Sequence, residues 1–258
     1  MVTFIVCVFA GLMAGVVTGL AGLSAAVIIS PFLITFLGIN AYDAVGIALA
    51  SDILASALSA YTYYKNKNID IKNSIYMMIA VLIATLVGSY IAAYFPQTVM
   101  GNISIYLLVL MGLKFVIKPV SGESERRKKR SRKMNIVLSV GAGIWVGLIC
   151  GITGSGGGMN MLIALTVFLG YSLLPAVGTS VFIMTFTALV GAATHFTVSG
   201  IASIPALVLC IIFTAIGAAV SARYANRAAI VKVNRVTGSV MIICGIIMAI
   251  LYAMSILG

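Results

Sequence analysis

Gly151-Ile152-Thr153-Gly154-Ser155-Gly156-Gly157-Gly158 interrupts the apolar stretch 136–170 near its middle. That stretch is too long for one membrane crossing, which takes about 20 apolar residues at 1.5 Å each. A run this rich in glycine is poor helix in any solvent. The stretch therefore splits into two shorter arms around a glycine turn. Residues 4–37 repeat the pattern, broken at Gly19-Leu20-Ala21-Gly22-Leu23-Ser24. Six more apolar runs, 42–64, 73–95, 102–118, 174–196, 203–222 and 236–257, are each about one crossing long.

Little else remains to make a water-facing surface. Of 258 residues, 62% are hydrophobic and 8% charged, and mean hydropathy is +1.19. A soluble domain carries roughly 25% charged residues, so the chain reads as an all-α polytopic protein of the lipid bilayer. Its 26 glycines suit helices whose backbones approach closely. Cys7, Cys150, Cys210 and Cys244 all lie inside apolar runs. They read as packing residues, with no disulfide framework, metal or cofactor implied. No basic segment precedes the first apolar run, so no cleavable signal peptide is expected.

The net charge of +11 does not point to nucleic acid. All 16 basic residues fall in three stretches, Lys65–Lys72, Lys114–Lys133 and Arg223–Arg235, as expected of cytoplasmic loops. Arg126-Arg127-Lys128-Lys129-Arg130-Ser131-Arg132-Lys133 reads as a linker drawn to anionic lipid. Lys114 and Lys118 are expected to snorkel to the interface. Tyr61, Tyr63 and Tyr64 beside Lys65 read as an interfacial aromatic belt.

The chain also matches itself. A shift of 132 places Gly11, Gly15, Gly19 and Gly22 on Gly143, Gly147, Gly151 and Gly154. It also places Phe36-Leu37-Gly38 on Phe168-Leu169-Gly170, and Ala44-Val45-Gly46 on Ala176-Val177-Gly178. A three-residue deletion then sets Gly88 on Gly217. This is an internal duplication. Matching loops differ in charge: the basic loop 65–72 corresponds to an uncharged segment at about 197–204. The halves are therefore expected to be inverted across the membrane. Inversion needs an odd number of crossings per half, which holds if each broken stretch is a hairpin that enters and leaves on one side.

The expected architecture is two inverted repeats, each a broken, re-entrant helical hairpin plus three transmembrane helices. Residues 1–118 form the first repeat, 119–135 the basic cytoplasmic linker, and 136–258 the second repeat. Both termini lie outside a cytoplasmic membrane, with the basic loops inside. Hairpin arms of 17 and 14 residues, and of 17 and 13, leave the shorter arms at about 20 Å, less than a ~30 Å core. The two tips are expected to meet near the midplane.

Irregular backbone at that depth is tolerated only inside protein or along a cavity. Glycine leaves amide N–H groups uncovered, and a helix N-terminus adds partial positive charge. The turn Gly154–Gly158 thus reads as an anion cradle, with Thr153, Ser155 and Ser24 as hydroxyl donors and Gly22 at the other tip. The four-residue spacing of Gly11, Gly15, Gly143 and Gly147 reads instead as helix packing. Asp52 lies mid-span, where an Asp costs about 2.5–3.5 kcal/mol to insert. It shares a helix face with Ser56, Ser59 and Tyr63 and is the candidate coupling group for protons. His195, the one histidine, is the second candidate. Asp43 is expected to cap its helix.

The glycine hairpin Gly154-Ser155-Gly156-Gly157-Gly158, followed by Ala176-Val177-Gly178-Thr179-Ser180, resembles the sulfite exporter TauE/SafE family. The resemblance covers nearly the whole chain. It implies transport of a small sulfur-containing anion, such as sulfite or an organosulfonate, across the cytoplasmic membrane. It also implies that Thr179 and Ser180, matching the family's Gly-Thr-Ser, and Gly156, Gly157 and Gly158 serve the substrate. The first half departs from the pattern, with Gly22-Leu23-Ser24-Ala25-Ala26 at its tip and Gly46-Ile47-Ala48 in place of Gly-Thr-Ser.

The expected protein is an alternating-access carrier, an exporter coupled to protons, without enzymatic activity and compatible with a homo-oligomer. An anion channel using the same tips, or an intramembrane enzyme or assembly factor, are the alternative readings.

Overall fold

Apolar side chains on all sides of a helix are stable only in a lipid or protein surrounding, and the chain folds accordingly into long helices. A computed structural model describes residues 2–92, 131–153 and 156–229, with isolated positions at 94–117 and 231–250. The expected spans 102–118 and 236–257, most of the linker, and Gly154 and Ser155 lie outside the described residues. The described elements are α1 (Val2–Ala21), α2 (Ala26–Leu37), α3 (Ala41–Lys65), α4 (Ile71–Ala92), α5 (Arg132–Thr153), α6 (Gly156–Ile163), α7 (Leu173–Ser199) and α8 (Ile204–Ala225). A π-helical turn, Ala164–Phe168, follows α6. Among the described residues there is no strand. Six helices are long and apolar enough to cross a membrane: α1, α3, α7 and α8 entire, Ser74–Ala92 of α4 and Lys133–Ile152 of α5.

Both broken stretches fold back as hairpins. Phe9 of α1 meets Phe32 of α2 with ring centroids 5.7 Å apart, and Trp145 of α5 meets Phe168 at 6.4 Å. Gly38, at φ 62°, ends α2 in the left-handed region, its N–H bonded to the Leu33 carbonyl. The arms are less equal than their sequence suggests. α1 has 20 residues and α5 22, about 30 Å each, so the first arm of each hairpin is long enough to cross. Only the second arm is short, with 12 residues in α2. The reason is that Gly19 and Gly151 remain helical, each wedged against a partner helix that excludes any side chain.

Those partners come from the other half of the sequence. α1 packs along α8, and α5 along α4. A Cβ on Gly11 would meet Phe213 Cβ at 3.0 Å and Thr214 N at 3.3 Å, and one on Gly15 would meet Ala218 N at 2.8 Å. In the second crossing a Cβ on Gly143 would meet Ala80 Cβ at 2.8 Å and Val81 N at 3.3 Å, and one on Gly147 would meet Thr85 N at 3.0 Å. The partners correspond residue by residue at a shift of 133: Ala80 to Phe213, Val81 to Thr214, Thr85 to Ala218. This corrects the alignment drawn from sequence. Gly88 takes the place of Ser221, not of Gly217, because the interface matches Gly151 against Gly88 where it matches Gly19 against Ser221. Glycine identity misled because any small residue satisfies that crossing.

Gly15→Val therefore drives a branched side chain into the backbone of α8. It is expected to destabilise the protein by about 3 kcal/mol or more. The matching measurement is thermal unfolding in detergent. Gly141→Val, where a Cβ meets nothing within 4 Å, should leave the melting temperature nearly unchanged.

α3 and α7 form the centre. Gly46 lies against His195, and Gly178 against Tyr63. The helices are therefore antiparallel, and their pairing is centred near residues 54–55 of α3 and 186–187 of α7. Ser56 and Thr185 hydrogen-bond near that centre, at 3.1 Å.

Candidate functional site

The first hairpin turns at Gly22, which takes φ 65°, a conformation open to glycine at little cost. Its N–H bonds the Thr18 carbonyl at 2.8 Å. Its own carbonyl accepts from Ser180 Oγ at 3.3 Å, and that hydroxyl also reaches Val177 O at 2.8 Å. Gly158 of the second hairpin lies directly against this turn. A Cβ there would stand 2.6 Å from both Gly22 O and the Leu23 carbonyl carbon. The two glycine breaks thus touch, backbone to backbone, inside the protein.

Asp52 sits beside them, about one helical turn from the centre of the α3–α7 pairing. It is fully buried. Oδ2 accepts from Ser24 Oγ at 2.7 Å, and the Ala25 backbone N–H lies beside the same carboxyl. Oδ1 has no hydrogen-bond partner. Residue 25 carries no side-chain cap for α2. Ser24 Oγ supplies that role, accepting from the Ala26 N–H at 3.3 Å while donating to Asp52, and the Asp52 carboxyl adds to it from across the site, where the helix N-terminus presents donors and partial positive charge. The first tip therefore already faces a carboxyl group of the protein itself. At the shift of 132, Asp52 corresponds to Met184 and Ser24 to Gly156. The second half has no acid in the corresponding place.

The remaining candidates fall into three groups. Thr153, Gly156 and Gly157 flank the second turn at the ends of α5 and α6. Ser180 binds the first turn, as above. Its neighbour Thr179 points elsewhere and accepts from the Asp70 N–H at 3.1 Å, while Tyr171 OH donates to Asp70 Oδ2 at 3.2 Å. Gly178 lies against the Asn68 carbonyl and leaves no room for a side chain. In Gly178-Thr179-Ser180, then, the glycine admits the 66–70 loop, the threonine holds it, and the serine holds the hairpin turn.

His195 is buried and stacks on Tyr42 at 4.0 Å between ring centroids. Nδ1 lies 3.0 Å from Tyr42 O and Nε2 3.4 Å from Gly151 O. Opposite residue 46, it stands about 9 Å along the helix axis from Asp52, so the two coupling candidates are not neighbours. Tyr63, its repeat equivalent, makes the matching bond: its hydroxyl donates to Gly19 O at 3.1 Å. Tyr63 is fully buried and does not join an interfacial belt, because that acceptor lies inside the bundle. Tyr61 and Tyr64 are exposed, with Lys65 Nζ 4.7 Å from the Tyr61 ring centroid. Asp43 does not cap α3. Asn40 does, its side chain accepting from Tyr42 N at 2.9 Å, because it stands one residue before the first helical turn.

Sequence reasoning missed Thr185, Tyr42 and the Asp70–Tyr171 pair. Thr185 carried a signal, as a hydroxyl in mid-span. Tyr42, Asp70 and Tyr171 sit at span ends, where polar residues are ordinary.

A model of the family described as sulfite exporter TauE/SafE matches residues 7–248. The chain belongs to this family. Among curated proteins it is similar to the probable membrane transporter protein YdhB of Bacillus subtilis (strain 168), 23% identical over 82% of this chain and 86% of the relative. It is also similar to the probable membrane transporter protein YunE of the same organism, 26% identical over 75% of this chain and 78% of the relative. No solved structure matches. As a TauE/SafE member it is a multi-pass membrane transporter, in line with the six membrane-length helices among its described residues. Its glycine hairpins and its Gly178-Thr179-Ser180 stretch lie within the matched region.

Proposed function

We propose that the protein is an alternating-access carrier for a small sulfur-containing anion, such as sulfite or an organosulfonate, that exports it and couples its movement to protons. The supporting observation is the contact of the two hairpin turns beside Asp52, whose carboxyl occupies the donor-rich start of α2. Main-chain N–H groups of Gly154–Gly158 and the hydroxyls of Thr153 and Ser24 would hold the anion by oriented dipoles, while Gly22 and Ser180, bonded to Thr18 and to each other, keep the first turn in shape. The resident carboxylate competes with the substrate for that positive end. A proton on Asp52 relieves the repulsion, so anion and proton bind together and travel in the same direction.

Export then depends on charge. A doubly charged anion with one proton carries net −1, and an inside-negative potential expels it with about 2.3 kcal/mol per 100 mV. An opposing gradient of one pH unit weighs about 1.4 kcal/mol. For a doubly charged anion the potential wins at ordinary values, which fits an exporter, whereas a singly charged sulfonate moving with one proton would gain nothing from the potential. In this scheme the α1–α8 pair and the α4–α5 pair, each held together by its glycine crossing, rock against each other about the α3–α7 pairing.

Purified protein in liposomes tests the reading. Sulfite, thiosulfate, sulfate and a sulfonate are compared under imposed potentials and pH gradients. Saturable flux of a sulfur anion, with counterflow, is expected. Flux that never saturates would mean a channel, and no movement above protein-free vesicles would sink the proposal.

A further inference from the structure

Two stripes of identical spacing line the parallel pair α4 and α5. On α4 they run Lys72, Tyr76, Ile79, Ile83, Val87; on α5, Lys133, Val137, Val140, Ile144, Leu148. Residues so spaced share one helix face. Between the stripes lies an open groove of about 500 Å³, lined by Tyr76, Ile79, Ile83 and Val87 with Val140 and Ile144 among others. Ile83 is 63% exposed and Ile79 51%. The groove is apolar apart from the Tyr76 hydroxyl. At one end only it carries cations: Lys72 one turn before Tyr76 and Lys133 two turns before Val140, both exposed. Because α4 and α5 run parallel in the register of their glycine contacts, the two lysines stand at the same end. From Tyr76 to Val87 the groove is about 16 Å deep, half of a ~30 Å hydrocarbon core.

We infer that this groove is a binding site for an anionic phospholipid, with one acyl chain between α4 and α5 and the headgroup phosphate at Lys72 and Lys133. Depth and charge both select a lipid: an apolar slot one leaflet deep with cations at its mouth matches a tail and an anionic headgroup. The repeat gives an internal contrast. In the α1–α8 pair, Ala80 is replaced by Phe213, whose ring packs edge-on against Phe4 at 6.3 Å. Lys72 is replaced there by Pro205 and Lys133 by Met1. The site belongs to one half only.

The full chain, purified gently, is analysed by native mass spectrometry, and its melting is compared in nanodiscs of phosphatidylcholine with and without phosphatidylglycerol. Wild-type protein is expected to retain phosphatidylglycerol and to melt higher in its presence. Lys72→Gln with Lys133→Gln should weaken its preference over phosphatidylcholine by about thirty-fold. Ala80→Phe, which imitates Phe213, should remove the retained lipid of either headgroup. Both variants are first required to melt as wild type does in phosphatidylcholine alone; for one that does not, Ile83→Trp and single lysine variants take its place. Equal phosphatidylglycerol retention by wild type and variants, or a density map with a helix of this chain seated in the groove, would overturn the inference.

Discussion

Gly158→Val is expected to lower transport by about a hundredfold. A Cβ at 158 stands 2.6 Å from two backbone atoms of the opposing turn, Gly22 O and Leu23 C. Backbone cannot yield as a flexible side chain does, so the two hairpin turns must separate. Overpacking of this kind costs about 3 kcal/mol, and that is about a hundredfold in the population of any state needing the contact. The readout is the initial rate of anion flux into proteoliposomes at matched protein content. Gly141→Val is the control, since a Cβ there meets nothing within 4 Å. Wild-type flux from Gly158→Val would show that contact between the turns is dispensable.

Asp52→Asn carries the second large effect. The amide keeps the shape and can still accept from Ser24 Oγ, which lies 2.7 Å from the carboxyl, but it can neither gain nor lose a proton. Wild-type flux is expected to respond to an imposed pH gradient, and Asp52→Asn flux to ignore it. The amide imitates the protonated carboxyl, so saturable flux is expected to persist while its dependence on pH is lost. Replacing a buried carboxyl that lacks a basic partner does not require loss of stability, and the variant should melt as wild type does. A fallen melting temperature with an unchanged pH response would assign Asp52 to structure alone.

His195 and Asp52 look alike in the sequence, as rare ionisable groups in apolar runs, yet the structure separates them. His195 ties α7 to the start of α3 and to α5, while Asp52 reaches the hairpin turn. Sequence periodicity reports which residues share a helix face, as it did for Asp52, Ser56 and Tyr63. It is silent on which helix that face meets. Ser24 lies 28 residues from Asp52 along the chain, and only the folding back of α2 makes them neighbours. The same limit explains Gly178-Thr179-Ser180, whose three residues answer two different segments, the 66–70 loop and the first hairpin turn.

Composition and spacing alone determined the membrane class and the two glycine-broken hairpins, because lipid permits few solutions to backbone hydrogen bonding and these leave a plain pattern of apolar runs. Tertiary structure alone decided that each half's first helix packs on the other half, that the repeat register in α4 and α8 is shifted, and that Asp52 fills the start of α2. Those outcomes depend on side-chain volume and close approach between residues remote in sequence, which no local pattern records.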